Sequence, residues 1–357
     1  MKFHKNVIAT ALALTLVGAM PIVARAATVD LSTSGWVTYG DANSYALNVN
    51  GLNVSAATGQ LIGVAKLGIN SQNGNSTPGM DDAFDTPTAN TVEGFRMSSA
   101  NEPGGAVSQG AWDRVAWWDS TLNAVSSLLD LTKNSMVFFF ANNETGNTPD
   151  LAGWARIELT QISNNALLGR FDLTNDPTHQ GLVGYGPPPT GGGVVLGSPS
   201  AYTSNGAAPV VSDFIDSGND VCTLNGQLVS CQTPGATVYH ENLGANNAAY
   251  AIVFPELDKL IQDLVSAGKD LNDYAIHVDY RLGCGPELTA DGLNSFPTVT
   301  ANNGKVSCAE NYALNGGDEK VFIGTQLAPI NRIPEPSSVF LAALALLGLG
   351  VVRRRQH

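Results

Sequence analysis

The sequence predicts a mainly β protein: a single β-sandwich of jelly-roll or lectin-like type with two accessory helices. Three observations predict it. Charged residues make up only 14% of the chain, against 38 glycines and abundant Asn, Ser and Thr, a balance that suits strands joined by turns. Short runs alternate apolar and polar residues with the period of a half-buried strand. Only two segments space their apolar residues as a helix does.

The elements follow in order. Within residues 28 to 70, "GWVTYG", "YALNVN" and "LIGVAKLGIN" read as three or four strands. Residues 71 to 110, rich in Gly, Asn, Pro and Asp, read mostly as loop. In "AWDRVAWWDSTLNAVSSLLDLTKN", Asp119 is the expected N-cap of a helix beginning at Ser120, with Leu122, Val125 and Leu129 on one face. "SMVFFFANNE" reads as a buried strand and "LAGWARIELTQ" as a second one of period two. Residues 186 to 209 are rich in Pro, Gly and Ser and read as an exposed insertion within one domain. "AAYAIVF" is a strand, and "PELDKLIQDLVSAG" is a helix with Pro255 in its first turn and Gly268 at its C-terminal end. "YAIHVDYRLG" and "EKVFIGTQL" supply the last strands. No repeat of fixed period occurs.

Both ends of the chain read as processing segments. Lys2 and Lys5 precede an apolar run from Val7 to Met20, and Ala24-Arg25-Ala26 offers small residues at the two key positions of a signal-peptidase site. Cleavage is expected after Ala26. At the other end, Val339 to Val352 is an uncharged apolar run of fourteen residues. As a helix it would be roughly 21 Å long, against about 30 Å for a hydrocarbon core, so it suits a transient anchor better than a permanent span. Arg353, Arg354 and Arg355 follow and mark the cytoplasmic side. Before the run, Pro334-Glu335-Pro336 favours an extended, protease-presentable backbone.

A Pro-Glu-Pro motif, a short apolar helix and a terminal arginine cluster, in that order, resemble the PEP-CTERM sorting signal of Gram-negative bacteria. The resemblance covers the final residues of the chain and departs from the family where Ile333 stands in place of a frequent valine. It implies that exosortase, a membrane-embedded cysteine protease, recognises the motif and removes the tail. The protein would then be released or displayed outside the cell, commonly where exopolysaccharide is made. The expected organisation is therefore a signal peptide over 1–26, a body over 27–332 and a sorting signal over 333–357. The resemblance bears on export, not on what the body does.

Charge narrows the partners. The body, residues 28 to 335, holds all 31 acidic residues but only 12 Lys and Arg, a formal charge of −19. Such a surface repels phosphate backbones, which excludes nucleic-acid binding. Four cysteines in an exported body point to disulfides rather than to a zinc site, because no Cys-x2-Cys spacing occurs. Cys222 and Cys231 flank "TLNGQLVS". A two-residue Asn225-Gly226 turn would set Cys222 opposite Val229, whereas a four-residue loop from Asn225 to Leu228 would set the two cysteines face to face. The longer loop and a Cys222–Cys231 bond are expected, which leaves Cys284 to pair with Cys308.

Signals for chemistry are sparse. His179, His240 and His277 lie near no G-x-S-x-G elbow, and H-E-x-x-H does not occur. Glu144, Glu158, Glu241, Glu256, Asp279 and Glu287 could supply a glycosidase pair, though spacing selects none. Calcium has two candidate loops: "MDDAFD", with Asp81, Asp82 and Asp85, and the preferred "ANNETGNTPD", with Asn142, Asn143, Glu144 and Asp150. Trp117 and Trp118 cannot face the same way on a strand, so one of them is a candidate sugar platform, alongside Trp112 and Trp154. The expected function is an exported surface or biofilm-matrix protein without catalysis or an obligate cofactor. It would meet signal peptidase, exosortase and, transiently, the inner membrane. A carbohydrate-binding module for exopolysaccharide is the alternative, and a secreted glycoside hydrolase the next.

Overall fold

The computed structural model describes residues 28–29, 31, 37–48, 63–69, 74–86, 93–97, 112–141, 152–174, 215–216, 220–225, 227–229, 232–240, 248–282, 305–307 and 320–327. Within them the protein is mainly β, arranged in several sheets with two α-helices. The first sheet runs β2 (Val37–Tyr39), β3 (Ala42–Asn48), β15 (Ala248–Val253), β8 (Asn134–Ala141), β18 (Lys320–Leu327), β4 (Ala65–Ile69) and β5 (Phe84–Asp85), with β1 (Thr28–Val29) beside β18. The second runs β10 (Ala166–Leu173), β9 (Ala152–Gln161), β16 (Tyr274–Leu282), β6 (Glu93–Arg96) and β17 (Lys305–Ser307). There β7 (Trp118–Thr121) pairs with β16, and β11 (Ile215–Asp216) with β9. A small third sheet holds β13 (Gln227–Leu228), β12 (Asp220–Leu224) and β14 (Thr237–His240).

Both large sheets feed one apolar cluster. β8 gives it Met136, Phe138 and Phe140, while β9 gives Ala155, Ile157 and Leu159, and β16 gives Ile276, Val278, Tyr280 and Leu282. Phe140 of the first sheet meets Tyr280 of the second at 4.9 Å between ring centroids. The opposite face of β8 is also covered. Val137 and Phe139 join a second cluster with Val29, Leu31 and Phe322, and Phe139 stacks on Phe322 at 5.0 Å. A strand buried on both faces has no polar side, which explains the unbroken "MVFFF".

The helix α2 (Pro255–Ser266) begins with Pro255 as the sequence predicts and buries Leu257, Leu260 and Ile261. Helix α1 (Leu122–Leu129) corrects the expected start. Trp118 to Thr121 is strand, and the Thr121 side chain, not Asp119, accepts the Ala124 N–H as the cap. Asp119 is held in β7 opposite His277, so its carboxylate is turned away from the helix. Two short strands, β5 and β6, also lie in the stretch read as loop.

The cysteine hairpin is corrected as well. Thr223 pairs with Leu228 and Leu224 with Gln227, so two residues, not four, separate the paired positions. The Val229 N–H donates to the Cys222 carbonyl at 2.9 Å, so Cys222 faces Val229. Asn225 takes φ +53°, the left-handed conformation that tight hairpin turns require and asparagine tolerates. Cys222 is buried and disulfide-bonded. Cys231, Cys284 and Cys308 lie outside the described residues, and so does the predicted connectivity. Among the described residues no helix is long and apolar enough to cross a membrane. The signal segment with Ala24 and Ala26, the 186–209 stretch, Pro334 to Pro336, the Val339 to Val352 run and the arginine cluster all lie outside them.

Candidate functional site: a sealed polar node on the second sheet

Period two puts Ala155, Ile157 and Leu159 in the core and turns Trp154, Arg156, Glu158 and Thr160 to the other face of β9. The register then sets rows across the sheet. Asp119 of β7, His277 of β16, Glu158 of β9 and Arg170 of β10 stand side by side. Asp279, Arg156 and Asp172 form the next row. This polar face is itself buried: Asp119, Thr160 and His277 are 0% exposed, Asp172 2% and Glu158 6%.

Nearly every charge here meets its opposite. Glu158 accepts from Arg170 at 2.6 Å and from Arg114 at 2.7 Å. Burial works to raise the Glu158 carboxyl, but the hydrogen bonds and charges of Arg114 and Arg170 outweigh it and hold the group below its ordinary range. Arg156 clasps Asp172 through Nε and Nη2, each at 2.8 Å, and Arg281 reaches Asp279 at 3.0 Å. Burial raises Asp279. Arg156 and Arg281 also flank the Trp154 ring, at 5.3 and 4.7 Å from its centroid.

Asp119 is the hub. Its Oδ1 lies 2.7 Å from His277 Nδ1, and its Oδ2 accepts the Arg114 backbone N–H. Its own N–H donates to Asp81 Oδ2 at 2.8 Å, while the Asp81 N–H donates back to the Asp119 carbonyl at 2.9 Å. Thr121 N–H adds a bond to the Gly79 carbonyl at 2.8 Å, so residues 79 to 81 are stitched along β7. His277 Nε2 lies 2.8 Å from Thr160 Oγ1. Burial, and then the charge of Arg114, press the imidazole down to about 3, so it is neutral at pH 7. A carboxylate only accepts, which assigns the proton to Nδ1 and leaves Nε2 to accept the threonine hydroxyl.

The order Thr160–His277–Asp119 has the connectivity of a nucleophile, base and orienting acid. A nucleophile must also reach substrate, and Thr160 exposes no surface. As arranged, the chain of bonds fastens three strands. Among the described residues, the carboxylate group suited to a hard cation is Asp81, Asp113 and Asp119, whose ligand oxygens lie within 4.8 Å of one another. Asp81 thus joins Asp113 and Asp119 rather than its sequence neighbours Asp82 and Asp85. The preferred calcium loop, Asn142, Asn143, Glu144 and Asp150, lies outside the described residues. So do His179, Glu144, Glu241 and Glu287, while His240 belongs to the third sheet.

The structure separates the candidate sugar-platform tryptophans by burial. Trp118 is 0% exposed and packs in the larger apolar cluster, so it presents nothing to a polysaccharide. Trp117 is half-buried, with the Arg114 guanidinium 5.2 Å from its ring centroid. Trp112 lies 6.5 Å from the His277 ring and, like Trp154, is buried. The alternation of "WARIELT" against "IHVDYR" was the available signal for a polar second face; its pairing with Asp119 spans 158 residues and is invisible to local patterns.

A family model described as "Domain of unknown function (DUF8239)" matches residues 28–281, and one for the PEP-CTERM protein-sorting motif matches residues 332–355. No curated protein and no solved structure matches the chain.

Proposed function

Because the chain belongs to the DUF8239 family and, by its PEP-CTERM motif, is an exported protein processed by exosortase, we propose that its body is a structural component of the cell surface or extracellular matrix, with no catalysis of its own. The observation that carries this reading is the sorting motif at residues 332–355, five residues after the last described strand ends at Leu327. The polar node supports the second half: the one triad-like arrangement among the described residues is closed to substrate, and the Glu158 and Asp279 carboxylates hold arginines.

Several finer points belong to this reading. The two large sheets form a sandwich, as the shared Phe140–Tyr280 core supports. Signal peptidase cuts after Ala26, as the first strand beginning at Thr28 supports. The cysteines pair as Cys222–Cys231 and Cys284–Cys308. Exosortase acts at Pro334-Glu335-Pro336 while Val339 to Val352 holds the chain and Arg353 to Arg355 stay inside. The test replaces the three motif residues with alanine and weighs the exported protein intact. The native protein should lack His357 and the substituted one should retain it in the membrane fraction. Equal release of both, with the tail removed, would end the sorting reading. Exopolysaccharide binding through Trp117 is the alternative: retention on the producer's polysaccharide, lost with Trp117→Ala, would favour it.

A further inference from the structure

The polar node is sealed at its centre and open at its rim. Asp119, His277 and Thr160 expose nothing. The side chains of Arg114 and Arg170 remain 25% and 29% exposed, while the Glu158 side chain they share is 8% exposed. Each arginine turns only part of its donor set inward. Arg170 donates to Glu158 Oε1 through Nε, and Arg114 donates to Glu158 Oε2 through Nη1 and to Asp119 through its backbone N–H. A guanidinium carries a planar fan of N–H donors. Those on both Nη atoms of Arg170, and on Nε and Nη2 of Arg114, hold no protein group among the described residues.

Two guanidiniums on one carboxylate leave a positive charge over. The neighbouring ions are occupied elsewhere. Arg156 and Asp172 neutralise each other through two bonds of 2.8 Å. Asp113 keeps a carboxylate oxygen within 4.8 Å of those of Asp81 and Asp119, and Asp119 and Arg170 stand at opposite ends of their row across the sheet. An aromatic surface adjoins this rim. The Trp117 N–H donates to the Arg114 carbonyl at 3.3 Å, closing a turn in which Ala116 takes φ +68°. That turn brings the half-buried Trp117 ring to 5.2 Å from the Arg114 guanidinium and leaves Val115 72% exposed beside it.

Resting on the alternative reading in which Trp117 meets a sugar, we propose that Arg114 and Arg170 bind the carboxylate of a uronic acid residue, with the Trp117 ring against the sugar. The planar fork of a guanidinium matches a carboxylate with parallel N–H···O bonds, a match that a neutral sugar does not offer. The charge of the body limits the ligand further. The surplus positive charge at the rim can hold an isolated carboxylate, but a glycan charged on every ring would set its remaining charges against a body of −19. The ligand that fits is a mostly neutral glycan carrying spaced carboxylates.

The experiment titrates the exported protein with glucuronate, glucose, acetate and trigalacturonate, and follows binding by NMR. Glucuronate should bind saturably and more tightly than glucose or acetate. Arg170→Gln leaves Glu158 on Arg114 and should weaken glucuronate about tenfold, the loss expected for a hydrogen bond to a charged group. Arg170→Lys keeps the charge on Glu158 without the planar fork, and should weaken glucuronate as well. Absence of saturable glucuronate binding, or an affinity unchanged in either variant, would overturn the inference. Trigalacturonate, charged on every ring, should bind no more tightly than glucuronate, and tighter binding would overturn the limit on charge. Two results separate this inference from the reading beneath it. Glucose bound as tightly as glucuronate, with binding lost in Trp117→Ala but not in Arg170→Gln, would end the inference and keep the sugar reading. Acetate bound as tightly as glucuronate would end the sugar reading, and the uronate assignment with it.

Discussion

Asp119 draws its partners from four places at once: the Asp81 carboxylate and backbone, the Arg114 backbone, the His277 ring and its own strand pairing. Removing its carboxylate strands two donors, the Nδ1–H of the fully buried His277 imidazole and the Arg114 backbone N–H. Each buried donor left unsatisfied costs about 1–3 kcal/mol, so the two together cost roughly 2–6 kcal/mol. Asp119→Ala should fall in that range in urea denaturation, whereas Thr160→Val, which removes one hydroxyl hydrogen bond, should lose about 1 kcal/mol. Near-equal losses would mean that Asp119 is not the hub. Glu158 gives a pH signature. Its carboxyl sits below the ordinary value of 4.5 when folded, so the stability it contributes is full above about pH 4.5 and is lost as pH falls through the lower, folded value. Glu158→Gln should lower stability at pH 7 and flatten the acid limb of the stability curve. An unchanged acid limb would remove Glu158 from the account.

At the scale of elements, local chemistry explains what sequence reading could and could not find. α2 was legible because Pro255, the spacing of Leu257, Leu260 and Ile261, and Gly268 at φ +65° all act within one helix. β8, β9, β16 and β18 were legible from their runs and alternation. The start of α1 was not, because Asp119 prefers a partner on another strand to a cap role, and Thr121 caps instead. Thr121→Ala should therefore cost about 1 kcal/mol while Asp119 retains its bonds. β10 shows a different constraint. At Gly169, beside its register shift, an added Cβ would lie 2.7 Å from the Phe171 ring and 3.1 Å from Leu260. Phe171 is buried and cannot swing clear. Gly169→Ala should lower the melting temperature by several degrees, an overpacking loss of roughly 1–3 kcal/mol. A neutral result would show that β10 and α2 are loosely seated.

At the scale of the molecule, sequence separation and folded neighbourhood part company. The family match stops at residue 281, one residue before β16 ends at Leu282, yet β18 sits between β8 and β4 in the first sheet. Phe322 and Val321 belong to different apolar clusters on the two faces of that strand. A chain ending after Leu282 would leave β8 and β4 with facing, unpaired edges and would open both clusters, a defect no surface loop can close. The expected folding unit therefore runs from β1 through Leu327. Exported chains that end at residue 282 and at residue 332 put this to a direct test. The longer one should unfold in a single cooperative transition, and the shorter should accumulate as protease-sensitive or aggregated material. A well-folded 282-residue product would mean that β18 is an addition to a domain already complete without it.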